Sequence, residues 1–265
     1  MFENKKLNPG DFCWLELASP DLDVSKTFYQ QLFGWKINSH PMPNGEEYAE
    51  IELNGQHFAG AFKINKEMLK QGVPPHWGTY IYTQNVDEAT KKAKTLGANI
   101  IMEPFDVMTI GRMSKLADPT GAMISLWQPK EHELIQPAVS TPGMFSWLEL
   151  LTDNMRKAED FYTQLFNWKA STHDFNGNPY TSFTNKEVSI AGMMEKQAEW
   201  GSFPNYWGVY FTVANFEETQ KKAKTLGAKR VYEPMDIARL GKITMYEDPQ
   251  GIHFSVIQFA SDFKK

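Results

Sequence analysis

The two halves of the chain are copies of one another. The segment Phe12-Cys-Trp-Leu-Glu-Leu-Ala-Ser returns as Phe145-Ser-Trp-Leu-Glu-Leu-Leu-Thr, and Phe28-Tyr-Gln-Gln-Leu-Phe-Gly-Trp35 returns as Phe161-Tyr-Thr-Gln-Leu-Phe-Asn-Trp168, both 133 residues later. Further on, Lys91 to Ala98 recurs letter for letter as Lys221 to Ala228, and Asp118-Pro119 recurs as Asp248-Pro249, now 130 residues later. An offset that falls by three marks two homologous domains, the second having lost three residues between its opening helix and the strand near Trp207. The repeat predicts one domain at 8–130, a second at 142–261 and a linker at 131–141, where Pro137 and the charged Glu131-His132-Glu133 suit an exposed joint.

Within one copy, Phe12 to Ala18 alternates as a strand does, with Phe12, Trp14 and Glu16 on one face and Cys13, Leu15 and Leu17 on the other. The aliphatic face is expected to meet a helix. Pro20-Asp21 opens a segment with Val24, Phe28 and Leu32 spaced by four, which reads as an amphipathic helix stopped by Gly34. Asn44-Gly45 and Asn54-Gly55 mark turns around a strand at 48–53, with another at 56–63. The order then repeats: a strand at 77–83, a helix carrying Val86, Ala89, Ala93 and Leu96, and strands at 98–102, 111–117 and 122–128, with Asp118-Pro119-Thr120-Gly121 as a tight turn. The class is α+β, and helices on one face of each sheet leave the other free to curl around a ligand.

Charge and composition narrow the partners. Lys and Arg number 27 against 32 Asp and Glu, a net charge of −5 that is mild and of the wrong sign to hold a phosphate backbone, so no nucleic acid is expected. No stretch approaches the roughly 20 apolar residues of a membrane span. The segment from Met1 to Asp11 has no signal-like apolar run, and the single Cys13 cannot form an internal disulfide. A cytoplasmic protein with no membrane partner is the expectation.

The opening strand followed by Asp21-Leu22, the pair Phe28-Tyr29, the run Leu32-Phe33-Gly34-Trp35 and the closing Asp118-Pro119-Thr120-Gly121 resemble the vicinal oxygen chelate superfamily, which contains glyoxalase I, bleomycin-resistance proteins and extradiol dioxygenases. The resemblance spans both repeats. It implies tandem glyoxalase-like domains, each of two βαβββ modules forming a half-open barrel. Metal ligands of such enzymes, carried onto this chain, fall on Trp14 and Trp147, at or beside Gly78 and Gly208, and on Ser125 and Ser255. Indole has no free lone pair for a cation, glycine has no side chain, and serine is a poor ligand. No cofactor is therefore expected at the family positions, with a divalent metal on relocated ligands such as Glu16, Glu50 and His57 left open.

Strand parity sends Trp14, Glu16, Tyr48, Glu50, His57, Tyr80, Tyr82 and Ser125 to the concave face of the first domain, with Arg112 as a cation facing them. The second domain offers Trp147, Glu149, Tyr180, Ser182, Ser189, Tyr210 and Ser255, with Lys242 in place of Arg112. His40 and His173 read as surface residues, His76 starts a strand, and His253 shares the parity of Ser255. Three readings follow. One is a binding module whose aromatic-lined cavities hold a small organic molecule, as the bleomycin-resistance branch does. Another is a lyase or an oxygenase or hydroxylase working through Glu16 or Glu149 as acid–base groups, or through a relocated metal. A purely structural role requires cavities packed shut. Fusion of the domains suits a monomer or weak homodimer.

Overall fold

The structure is a computed structural model that describes residues 5–42, 45–70, 72–130, 134–136, 140–175, 177–197, 203–261 and 263. Asn44 of the expected first hairpin turn and most of the linker, including Glu131, His132, Glu133 and Pro137, lie outside the described residues.

The first domain runs β1 (Lys5–Lys6), β2 (Phe12–Ser19), α1 (Leu22–Phe33), β3 (Lys36–Pro41), β4 (Glu47–Leu53), β5 (Gln56–Lys63), α2 (Lys66–Lys70), β6 (His76–Tyr82), α3 (Val86–Thr95), β7 (Asn99–Val107), β8 (Gly111–Ala117) and β9 (Met123–Pro129). After β10 (Ile135–Gln136), which pairs with β1, the second domain runs β11 (Phe145–Thr152), α4 (Met155–Phe166), β12 (Lys169–Phe175), β13 (Asn178–Asn185), β14 (Val188–Glu195) and β15 (Tyr206–Thr212). It closes with α5 (Phe216–Thr225), β16 (Lys229–Arg230), β17 (Met235–Ile237), β18 (Gly241–Glu247) and β19 (His253–Phe259). Helix starts are set by side-chain caps: Asp21 accepts from the Asp23 and Val24 amides, and Asn85 from that of Glu88. Gly34 ends α1 in the left-handed region at φ 76°, and Asn167 does the same for α4 at φ 59°.

Each domain closes its own sheet. The first has the order β3-β4-β5-β2-β6-β9-β8-β7, so its two βαβββ modules join through the antiparallel pair β2–β6, where Glu16 stands opposite Gly78. The second repeats it as β12-β13-β14-β11-β15-β19-β18-β16, with β17 also paired to β18. The end strands β3 and β7 belong to different modules and do not pair, which leaves the barrel half open. Where β7 is continuous, its counterpart is split into β16 and β17, with Tyr232 in the gap.

The convex faces meet back to back, and one hydrophobic core runs through both domains. Phe211 of β15 packs against Trp35 and Trp77, and Phe254 of β19 against Phe28 and Tyr29. Polar bonds cross the same interface. Trp35 Nε1 donates to the Gly143 carbonyl at 2.8 Å and Trp168 Nε1 to that of Gly10 at 3.0 Å. The Tyr162 hydroxyl donates to Asp118 Oδ2 at 2.8 Å and accepts from Trp207 Nε1 at 2.8 Å. One parity expectation changes here. A β-bulge between Phe12 and Trp14 turns Phe12 away from the concave face and into the interface, against Trp168 and Trp207.

Candidate functional site

In the second domain the concave face encloses a cavity of about 910 Å³. Glu149 lies on its floor, held by β11. Its Oε2 accepts from the Tyr180 hydroxyl at 2.9 Å and its Oε1 from that of Tyr210 at 3.0 Å, while Trp147 Nε1 donates to the Tyr180 oxygen at 3.1 Å. Tyr180 reaches Glu149 by lying across Gly192, where a Cβ atom would stand 1.9 Å from the phenol oxygen. Tyr206 and Tyr232 add two more phenols, and Ser182, Ser189, Phe175, Ile257 and Phe259 stand among the lining residues. Burial pushes the Glu149 carboxyl above the usual carboxylate range, although the Tyr180 and Tyr210 hydroxyls work in the opposite direction.

That shift has a consequence for stability. The folded chain holds the Glu149 proton at a higher pH than the unfolded chain, so the stabilisation is present in full below about pH 4.5 and is lost as pH rises through the folded value. Glu149→Gln keeps an acceptor for one phenol and carries no charge. It is expected to flatten the decline, so that its stability relative to the parent improves as pH rises. Urea unfolding across a pH series checks this; equal slopes for the two chains would contradict it.

The first domain repeats the plan with different chemistry. Glu16 Oε2 accepts from the Tyr80 hydroxyl at 2.7 Å and Oε1 from that of Tyr48 at 3.3 Å. Trp14 donates to Tyr48, and Ser125 bonds Tyr80. Here too burial raises the Glu16 pKa, with the Tyr80 and Lys115 contributions lowering it. Lys115 of β8 is the register partner of Ser125, on the face that carries Tyr80 and Glu16, and burial lowers its pKa while the Glu16 charge works in the opposite direction. His76 Nδ1 lies 2.8 Å from the Pro74 carbonyl, and burial together with Lys115 depresses the ring to about 4. The residues at the corresponding places of the second domain are Met245 and Tyr206, both of which line its cavity.

Several expected positions move. Arg112 turns to the helix side, with Nε 2.8 Å from Asp87 Oδ2 and Nη1 3.3 Å from Asp106 Oδ1. Lys242 likewise pairs with Glu217 of α5 at 3.2 Å. The reason is the pleat of β8 and β18: Ser114, which bonds Thr90 of α3, shares the face of Arg112, so the inward residue is Lys115. His173 is exposed, as read, and stands with His253 among the residues at the cavity. Tyr82 is half-buried beside its register partner Trp127. Sequence reasoning missed Lys115, Tyr206 and Tyr232. The signal for Lys115 was present, because fixing the parity of β8 on buried Leu116 rather than on the charge of Arg112 turns Lys115 inward.

The relocated metal set is not assembled. Glu50 Oε2 lies 3.4 Å from both His57 Nδ1 and His40 Nε2 in a half-exposed cluster, whereas Glu16 is clamped by phenols deeper in. At the family ligand positions the donors are already committed: the Trp14 and Trp147 N–H groups serve tyrosine oxygens, and Ser125 serves Tyr80. These side chains do not fit a divalent cation. Among the described residues, no group of three or more His, Cys, Asp or Glu side chains is placed to hold a metal ion, and no helix is long and apolar enough to cross a membrane.

Known proteins share this plan. "Putative glyoxylase CFP32" of Mycobacterium tuberculosis is 35% identical over 247 residues, covering 92% of this chain and 93% of that protein. "Anthracycline biosynthesis protein DnrV" of Streptomyces peucetius is 29% identical over 265 residues, covering 96% of this chain and 95% of that protein. The crystal structure of the Mn(II)-bound glyoxalase from Novosphingobium aromaticivorans superposes with a TM-score of 0.62 at 13% identity, over 97% of this chain and 83% of that one, a likeness of fold. A family model matches at 12–126 and again at 145–256, and with both sheets built alike the chain belongs to the Glyoxalase/Bleomycin resistance protein/Dioxygenase superfamily.

Proposed function

We propose that the protein binds a small organic molecule with planar, oxygen-bearing rings in its second-domain cavity, without the metal of the family. The observation that carries this reading is the cavity of about 910 Å³, whose walls are aromatic and aliphatic and whose floor is a carboxyl group ringed by phenols. Rings stack on such walls, while carbonyl and hydroxyl groups of the ligand exchange hydrogen bonds with Glu149, Tyr206 and Tyr232. The names of DnrV and of "Anthracycline biosynthesis protein DauV", 30% identical over 260 residues, support a ligand of this class. Because each sheet takes all its strands from one domain, the site needs no second copy of the chain, and we read the protein as a monomer.

Calorimetric titration of the full chain with 1,4-dihydroxyanthraquinone tests the reading. The expected result is saturable binding with a micromolar dissociation constant, unchanged by EDTA. Binding that vanishes with the chelator, or no binding at any soluble concentration, overturns it. The acid–base alternative has its foothold in the first domain, where the Lys115 charge acts on both Glu16 and His76.

A further inference from the structure

The concave faces of the two domains differ in charge at one residue of their equivalent strands β8 and β18. Lys115 and Met245 occupy the same place in β8 and β18, yet only the first carries an amine into the concave face. Lys115 is the register partner of Ser125, Ser125 is that of Tyr80, and the Tyr80 hydroxyl donates to Glu16, so the amine shares their face and feels the Glu16 charge without a direct hydrogen bond to it among the described residues. Such a placement is unusual, because a largely buried ammonium is ordinarily paired. Arg112 and Lys130 on the neighbouring face and edge both find carboxylates. Around the mouth, Ile101, Phe105 and Ile110 are exposed at 48%, 38% and 47%, and their counterparts Val231, Met235 and Leu240 line the second cavity. An apolar ligand passing these side chains meets an amine that, among the described residues, has no direct hydrogen bond, on the same face as a buried carboxyl group.

We propose that Lys115 makes the concave face of the first domain a carbonyl-capturing site, where its amine condenses with an aldehyde or ketone on an apolar ligand to form an imine. Nζ adds to the carbonyl carbon, forming a C–N bond as the carbonyl oxygen gains a proton. The carbinolamine then loses its hydroxyl group as water, and the nitrogen releases one proton. Amine and carbonyl become imine and water, with no oxidant or reductant. Glu16 is placed to hand a proton to the leaving hydroxyl and to accept the one released by nitrogen. Burial works in the direction of both roles, raising the pKa of Glu16 and lowering that of Lys115, although the attraction between the two charges opposes each shift. This site is independent of the ligand assigned to the second domain.

The test uses the full chain with 4-hydroxybenzaldehyde and sodium cyanoborohydride at neutral pH, followed by peptide mass mapping. Lys115 is expected to label about 100-fold faster than exposed Lys91 and Lys94, and Glu16→Gln to slow it at least about tenfold. Lys115→Met removes the fast adduct, and because methionine occupies the equivalent position in the second domain it is expected to unfold at the same urea concentration as the parent. Labelling of Lys115 at the rate of Lys91 and Lys94 overturns the proposal. So does a fast adduct that survives Lys115→Met, or a Lys115 rate unaltered by Glu16→Gln.

Discussion

Asp118→Ala is expected to destabilise the chain by about 3–5 kcal/mol, a large share of the stability of an ordinary domain. Asp118 is buried, and its Oδ1 accepts from the Thr120 amide at 2.7 Å, the Thr120 hydroxyl at 2.7 Å and the Ala122 amide at 3.1 Å. Its Oδ2 accepts from Tyr162 of the other domain. Alanine strands all four donors, some of them fully buried, and each costs about 1–3 kcal/mol when left without an acceptor. The equivalent Asp248→Ala should cost less. Tyr29 also interacts with Asp248 across the interface, but no hydrogen bond of normal geometry reaches Asp248 Oδ2, so that cross-domain contact is weaker to begin with. Urea unfolding followed by fluorescence and circular dichroism measures both. Because one core serves both domains, the two probes should give a single coincident transition. A cost below about 1 kcal/mol for Asp118→Ala, or two resolved transitions in the parent chain, would count against the shared core.

Ser182→Trp is expected to weaken binding in the second cavity by about 100-fold or more while leaving the unfolding midpoint nearly unchanged. Ser182 lines the cavity from β13, half-buried and opposite Gly192 in the register, so an indole there occupies ligand space and need not displace the core. Glu149→Ala would be a poorer probe, since it also orphans two phenols. The same calorimetric titration reads the outcome. An affinity unaltered by the indole would mean that the ligand sits elsewhere, and the first cavity would then be the place to look.

The duplication, the order of strands and helices, and the inward pair Glu16 and Glu149 were legible in the sequence, because each rests on a local pattern that occurs twice. Alternation placed Trp14 and Trp147 correctly because Glu and Trp alternate with leucine, and leucine seeks the core. The pattern misled wherever both faces of a strand carry apolar residues. In Gly111–Ala117, Met113 and Leu116 point to opposite sides, so parity rests on a choice, and the charge of Arg112 suggested the wrong one. Phe12 was misplaced by a bulge, which shifts parity by one residue and leaves no mark in composition. The interface between the domains was invisible for another reason. Its partners, such as Trp168 and Gly10 or Tyr162 and Asp118, are far apart in the chain, and the tight Asp-Pro turn accounts locally for an aspartate that also receives a bond from the other half.

The back-to-back arrangement separates what must stay the same from what is free to vary. Residues that hold the halves together lie on the convex side, and their counterparts are nearly identical in the two copies: Phe28 and Phe161, Tyr29 and Tyr162, Trp35 and Trp168, Trp77 and Trp207. The concave side has drifted, with Lys115 against Met245, His76 against Tyr206 and Glu50 against Ser182. A gene that inherits such a scaffold can retool one pocket for a new compound while the other keeps its old clientele, since neither change touches the seam on which folding depends.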